Sequence, residues 1–322
     1  MGGPDATPEE PAGSPAAPPP SPHAPRESAT RRRRRSRLAR GPVTIGEPAA
    51  DIEPLLAVSE PYRPDTVADG GSVFGLTVRA ASVRGLFKRY VGGPRQDDVC
   101  LAIHEPSRTL VVAVADGVSA APRSHVGAAL AVRHATAAVV RQLGRDEDRG
   151  LDWNEVFDQA AWALVDEHRR ADGDPSAGVE PAAAALATTL TVAMISVEGD
   201  GARVRIAAVG DSPALVLGDG FRTLTGGEVR ADGLIGGGVQ ALPRHPRAWT
   251  AAELCLAADE VLLLCTDGLG LPLGDGTGEV GRVLARELAR APEVIDFARL
   301  LDFSRSTYDD DRTLVAVWAG AP

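Results

Sequence analysis

The chain has 322 residues, 34 of them Lys or Arg and 44 Asp or Glu, giving a formal net charge of −10, and 44% of its residues are hydrophobic. This balance describes a soluble, mildly acidic globular protein. Lys88 is the only lysine, in Leu86-Phe87-Lys88-Arg89, which excludes a Walker-type Gly-Lys-Ser/Thr phosphate loop and argues against pyridoxal-type Schiff-base chemistry. Cys100, Cys255 and Cys265 are odd in number and lack CxxC spacing, so neither a disulfide framework nor a thiolate zinc site is expected and the chain reads as cytoplasmic. No apolar run approaches the roughly 18 residues that cross a bilayer. The N-terminus lacks a hydrophobic signal core, and Ala6 stands where a myristoylation pattern needs Ser or Thr.

Residues 1–70 are expected to be a disordered Pro/Ala/Arg-rich tail, because 14 of the 25 prolines fall before residue 65, among Ala, Gly, Glu and Ser. Within it Arg31-Arg32-Arg33-Arg34-Arg35, with Arg37 and Arg40, could touch nucleic acid, anionic lipid or an acidic partner. Yet residues 1–70 carry 9 Arg against 10 acids, a net of −1, leaving −9 on the other 252 residues. The body is therefore the acidic part and a poor nucleic-acid binder.

A single domain is expected over residues 71–320. Short β-rich runs at 73–78, 110–115, 189–197, 203–209, 214–217, 261–265 and 313–318 read as strands. Glu198-Gly199-Asp200-Gly201 reads as a hairpin turn, with a meander continuing through Gly210-Asp211 and Gly218-Asp219-Gly220. Helical spacing covers 124–143, 153–170, 280–290 and 291–303. The order predicts an α+β fold, a central antiparallel β-sandwich flanked by helix pairs in four α/β/β/α layers, rather than a doubly wound parallel sheet.

Several apolar strands run directly into an aspartate. Val111-Val112-Ala113-Val114-Ala115 ends in Asp116-Gly117, Ile206-Ala207-Ala208-Val209 in Gly210-Asp211-Ser212, and Val261-Leu262-Leu263-Leu264-Cys265-Thr266 in Asp267-Gly268. Conversely, Arg95-Gln96-Asp97-Asp98 and Tyr308-Asp309-Asp310-Asp311-Arg312 lead into strands. One Asp-Gly after a strand is ordinary turn chemistry. Five carboxylate-bearing strand ends can meet on one rim, where their repulsion is relieved only by a cation. Mg²⁺ and Mn²⁺ select such oxygen-rich shells.

In their order, the blocks Val114-Ala115-Asp116-Gly117-Val118, Ala187-Thr188-Thr189-Leu190, Val209-Gly210-Asp211-Ser212, Leu264-Cys265-Thr266-Asp267-Gly268-Leu269 and Asp310-Asp311-Arg312-Thr313 resemble the metal-dependent serine/threonine protein phosphatases of the PP2C type, in their bacterial branch. The resemblance covers about residues 75–320. It implies a cytoplasmic signalling hydrolase acting as a monomer on a phosphorylated protein, with two Mn²⁺ or Mg²⁺ ions and room for a third. On this mapping Asp116 bridges the two ions, the Gly117 carbonyl and the Gln96-Asp97 region serve one, Asp267 and Asp311 serve the other, and Asp211 matches a third, weaker site. Water between the ions would then attack phosphorus in line, with an arginine orienting the phosphate. Arg84 is preferred for that role and Arg95 is the alternative.

The pattern departs from the family at four places. Val118-Ser119 replace the region where eukaryotic members carry a general-acid His, and Arg312 stands for the Asn that usually follows the last metal-binding Asp. Pro213 replaces an Arg, and the acidic pair can be Gln96-Asp97 or Asp97-Asp98. These departures motivate a rival reading, a catalytically weak or inactive signalling module that binds a phosphoprotein. A two-metal phosphoesterase for small molecules is a third. Gly233-Leu234-Ile235-Gly236-Gly237-Gly238 falls where the family carries a flap. His125 and His134, nine apart on one helix, read as packing or surface residues.

Overall fold

The computed structural model describes residues 43–60, 62–145, 150–198, 201–226 and 240–319. The arginine run and the glycine-rich segment of residues 233–238 lie outside the described residues.

Among the described residues the strands form two sheets, every neighbouring pair antiparallel. One has the order β1 (Thr66–Val73), β2 (Leu76–Val83), β11 (Arg312–Trp318), β10 (Val261–Cys265), β7 (Ala214–Leu217), β8 (Phe221–Thr225). The other has the order β3 (Asp98–His104), β4 (Thr109–Ala115), β5 (Leu190–Glu198), β6 (Gly201–Val209), β9 (Thr250–Leu256). Alternate side chains of one strand go to different layers. Along β4, Leu110, Val112 and Val114 meet Val78, Leu262, Leu264 and Val315 of the other sheet in the sandwich core. Val111, Ala113 and Ala115 face α2 (Ser124–Leu143), α3 (Trp153–Asp172) and α4 (Val179–Leu186). The outer face of the first sheet, through Ala81, Leu263, Leu314 and Ala316, is covered by α5 (Asp267–Leu273), α6 (Glu279–Glu287) and α7 (Val294–Leu301). Both faces of the central strands are thus covered, which is why β4, β10 and β11 read as unbroken apolar runs. This is the expected four-layer α+β sandwich.

Three local expectations need correction. The run at 73–78 is not one strand, because Phe74 (φ 54°) and Gly75 (φ 88°) make a two-residue hairpin turn between β1 and β2; a phenylalanine in a left-handed turn gives no turn signal. The meander does not continue at Gly210-Asp211. There the chain leaves the five-stranded sheet and enters the six-stranded one, with Gly210 at φ 101°. A boundary at residue 70 falls inside β1, whose Asp69-Gly70-Gly71-Ser72 has low strand propensity and is held extended by its pairing with β2. The segment ahead of β1 is also placed against the body, since Ile45 is buried and its N–H donates to the Ser304 carbonyl at 3.1 Å. A short helix not expected from the sequence, α1 (Leu86–Val91), follows β2.

Helix α2 lies so close to α4 that a methyl group at Gly127 would sit 1.9 Å from the Leu186 carbonyl oxygen. In a free helix Gly→Ala stabilises by about 1 kcal/mol. Here the sign reverses: Gly127→Ala is expected to lower unfolding stability by about 1 kcal/mol or more, read from the midpoint of urea denaturation.

Candidate metal centre at the shared strand ends

Strand register brings the aspartates to one end of the sandwich. Asp98 pairs with Ala115, Leu190 with Val209, Cys265 with Leu314 and Arg312 with Val83. Asp97, Asp116, Asp211, Asp267 and the Asp310-Asp311 pair therefore all lie one or two residues beyond the last rungs of their ladders, at the same rim.

The main chain under these residues is pinned by buried hydroxyls. The Asp116 N–H donates to Thr189 Oγ1 at 3.0 Å, and its carbonyl accepts from Thr189 N and Thr188 Oγ1, both at 2.8 Å. Thr189 Oγ1 meets Ser212 Oγ at 2.8 Å, tying the Asp116 turn to the residue after Asp211. Across the sandwich, Thr266 Oγ1 and Thr313 Oγ1 donate to Asp97 Oδ2 at 2.7 and 2.8 Å, and Thr313 Oγ1 also meets Ser82 Oγ at 2.6 Å.

Asp310 and Asp311 do not behave alike. Asp311 is buried, and both of its oxygens accept backbone N–H groups, Oδ1 from Gly85 at 2.7 Å and Oδ2 from Gln96 at 2.6 Å. Its carboxylate is a brace between β2 and the β3 entrance. Asp310 is only partly buried and feels the charges of Asp267 and Lys88. Both Asp311 oxygens are thus spent on the main chain, whereas Asp310 Oδ1 accepts the Asp311 N–H at 2.9 Å. Two close approaches fix this turn: a methyl at Gly85 would lie 2.2 Å from the Asp310 carbonyl carbon, and one at Gly268 would lie 2.0 Å from the Asp311 carbonyl oxygen.

Both candidate arginines are committed to structure. Arg84 Nε donates to Asp65 Oδ2 at 3.0 Å, while Nη1 and Nη2 reach the carbonyls of Gly93 and Leu55 at 3.2 and 2.8 Å. Arg95 is fully buried, with Nη1 on Ser82 Oγ and on the Asp97 carbonyl. Neither is placed to orient a phosphate. Arg312 likewise caps the carbonyls of Leu301, Phe303 and Tyr308 and stacks on the Phe303 ring at 3.9 Å. Lys88 on α1 is buried, with its Nζ 5.6 Å from the centre of the Phe87 ring. Its charge reaches Asp310 and Asp311, and among the described residues no carboxylate lies within ion-pair distance of it. Of the two acidic-pair alternatives, Asp98 turns away to Arg63 Nη1 at 2.8 Å, whereas Gln96 Oε1 is buried without a partner. Gly117 is buried beside the Gln96 carbonyl.

The electrostatics share one sign. Desolvation and then the charge of Asp311 hold the Asp97 pKa well above the ordinary carboxylate range. Asp116 is raised well above the ordinary range by desolvation, then by the charges of Asp97 and Asp267. Asp211 is raised by desolvation and Asp267, and Asp310 chiefly by desolvation. Among the described residues no three His, Cys, Asp or Glu side chains close around a single point. The donor set fits hard divalent cations: oxygen only, anionic, and ending in an orphaned Gln96 carbonyl oxygen.

Residues 84–307 match the family model for protein phosphatase 2C. The chain belongs to the protein phosphatase 2C family. Among solved structures it is similar to a bacterial serine phosphatase, at a TM-score of 0.50 and 13% identity over 80% of this chain and 98% of that one. It is also similar to the catalytic domain of the serine/threonine phosphatase PstP in complex with two manganese ions, at a TM-score of 0.49 and 21% identity over 75% and 97% of the two chains. PstP/Ppp of Mycobacterium tuberculosis gives 0.47, 20% identity, 76% and 99%. The comparison with curated proteins finds no match. Among the described residues no helix is long and apolar enough to cross a membrane.

A carboxyl whose folded-state pKa is raised above the ordinary 3.8 keeps its proton longer in the fold than in the unfolded chain. Stability from that group is therefore lost as pH rises through the window above the unfolded value. Asp116→Asn removes the loss. In EDTA its Tm is expected to exceed that of the parent by about 2 °C or more at neutral pH, with the difference shrinking toward about pH 4; thermal scans at the two pH values check it.

Proposed function

We propose that the chain is a metal-dependent phosphoprotein phosphatase that hydrolyses phosphoserine and phosphothreonine. The observation that carries this reading is a rim of buried and half-buried carboxylates that hold their protons too tightly, beside one unpaired lysine. Asp97, Asp116, Asp267 and Asp310 would hold two Mn²⁺ or Mg²⁺ ions, with the Gly117 carbonyl and Asp211 as further oxygen donors. When bound, such ions lower the pKa of a water between them and neutralise charge on phosphoryl oxygens.

The chain's own residues supply the positioning. Asp116 stands between Asp97 and Asp267, both of whose charges act on it, which suits it to be the carboxylate shared by two ions. Its pinned carbonyl and N–H leave only the side chain to adjust. Asp97 Oδ2 is held by two threonine hydroxyls, so its other oxygen is the one presented to the rim. Lys88 takes the phosphate-orienting role expected of an arginine. As a compact ammonium on a flexible stem it grips a phosphate oxygen without the bidentate geometry of a guanidinium.

The commitment of Arg84 and Arg95 to backbone carbonyls favours a second reading, a module that binds a phosphoprotein without turnover. Mn²⁺ calorimetry and phosphopeptide hydrolysis on one sample separate the two, since turnover abolished by EDTA is compatible only with the first.

Two variants test the residue assignments. Asp310→Asn is expected to weaken Mn²⁺ binding about tenfold or more and remove most turnover, while Asp311→Asn, which keeps one acceptor oxygen, is expected to act mainly on thermal stability. The reverse result would restore Asp311 to the ion-facing place. Lys88→Met is expected to cost about 10²-fold in kcat/KM on a phosphopeptide with Mn²⁺ affinity retained, read by steady-state kinetics and calorimetry.

A further inference from the structure

Residues 43–65 lie ahead of the stretch matched by the family model. We infer that this segment is a strap that completes the site from outside the shared domain, with Arg63 as the positioning residue for Asp97. The inference rests on the metal-holding role proposed above for Asp97.

The strap is anchored at both ends. Near residue 44 it lies along the connection between α7 and β11: the Ser304 N–H donates to the Val43 carbonyl at 2.8 Å and the Ser306 N–H to the Glu47 carbonyl at 2.7 Å. It then reaches α1, where the Leu55 N–H donates to the Arg89 carbonyl at 2.8 Å. At its far end Arg63 spends every guanidinium nitrogen on three residues of the 95–98 stretch. Nε donates to the Arg95 carbonyl at 2.9 Å, Nη1 to Asp98 Oδ2 at 2.8 Å and Nη2 to the Asp97 carbonyl at 2.5 Å.

The strap supplies these carbonyls with a donor from outside the β3 entrance. The β3 ladder begins only at Asp98, so the main chain around Asp97 has no strand pairing to hold it. The Asp97 carbonyl lies between two guanidiniums, Arg63 from the strap and Arg95 from within. The Asp98 carboxylate, 2.8 Å from Arg63 Nη1 and 3.9 Å from Arg95 Nη1, offsets the two cations, and each guanidinium presents a planar fork to fixed acceptors. With its carbonyl clamped and Oδ2 held by Thr266 and Thr313, Asp97 has a single direction left for its remaining oxygen.

Two residues further on, Asp65 does the same for the cation. Its oxygens accept from Arg84 Nε at 3.0 Å and Arg89 Nη2 at 2.9 Å, and Arg89 adjoins Lys88 on α1. Desolvation opposes the Asp65 carboxylate, but the Arg89 hydrogen bond and charge outweigh it and hold its pKa below the usual range. One segment outside the family region thus fixes both a carboxylate and the lysine of the rim. Proteolysis between residues 47 and 63, or a partner that takes this segment, would disarm the site without touching an ion-facing residue.

The test uses the full chain with Arg63→Met and Arg63→Lys, reading amide hydrogen exchange at residues 95–99 in EDTA, Mn²⁺ calorimetry, hydrolysis of a small aryl phosphate and Tm in EDTA. Arg63→Met is expected to speed exchange locally, weaken Mn²⁺ binding about tenfold, as loss of a residue that orients a ligand does, and lower kcat with KM nearly unchanged. Arg63→Lys, which keeps the charge but reaches one acceptor, should fall between. Exchange and Mn²⁺ affinity equal to the parent in both variants, or a lowered Tm with Mn²⁺ affinity retained, would overturn the inference. If Arg63→Met does not fold, Arg63→Lys carries the same comparison. A parent chain that binds Mn²⁺ without turnover sinks the phosphatase reading alone, whereas one that binds no Mn²⁺ overturns both.

Discussion

The constraint on which the rest of this structure depends is the gathering of like charges at one end of a β-sandwich. Charges are normally buried only with partners. Here Asp97 and Asp116 have neighbours of their own sign, and their pKa values rise accordingly. What holds them is not a counter-charge but the main chain beneath, through the threonine and serine hydroxyls at 82, 188, 189, 212, 266 and 313. A hydroxyl fixes geometry without cancelling charge, so the repulsion is left for a cation to relieve.

The arginines follow from the same logic. A carboxylate rim would be neutralised if guanidiniums could reach it, and the structure keeps them on backbone carbonyls instead. Arg84, Arg95 and Arg312 each donate to main-chain carbonyls, among them those of Leu55, Gly93, Asp97, Leu301 and Phe303. Buried carbonyls need donors, and a guanidinium supplies several in one plane. The guanidiniums are thereby kept from the rim carboxylates, and the cation whose charge acts on Asp310 is the buried Lys88.

Much of the layout was legible in the sequence because both signals involved are local. Unbroken apolar runs marked β4, β10 and β11, which are covered on both faces, and an Asp at each run's end marked the rim. What escaped was whatever depends on pairing or direction. β1 carries no strand signal of its own and is extended because β2 is; the Phe74-Gly75 turn hides inside an apolar run. Asp310 and Asp311 are the same residue type one position apart, and only the Gly85 and Gln96 N–H groups tell them apart. Arg84 and Arg95 looked suitable by charge, a property that says nothing about which acceptors surround them. Lys88 was visible from the start as the only lysine. Its place became apparent only when α1 set it beside Asp310.

A site made this way trades stability for readiness. Each rim carboxylate that keeps a proton against its ordinary pKa makes the ion-free fold costlier near neutral pH, and the surrounding structure offsets that cost with braces that do no chemistry: Asp311 across two strands, the glycine clearances at 85 and 268, and the strap at Arg63. Stability and activity are then in opposition at Asp116 and in agreement at Arg63. A substitution that relaxes the charge should stabilise an inert protein, whereas one that relaxes a brace should lose both together. That difference in sign separates residues that, on the proposed reading, would face ions from residues that hold them, and it follows from the electrostatics and the hydrogen bonds.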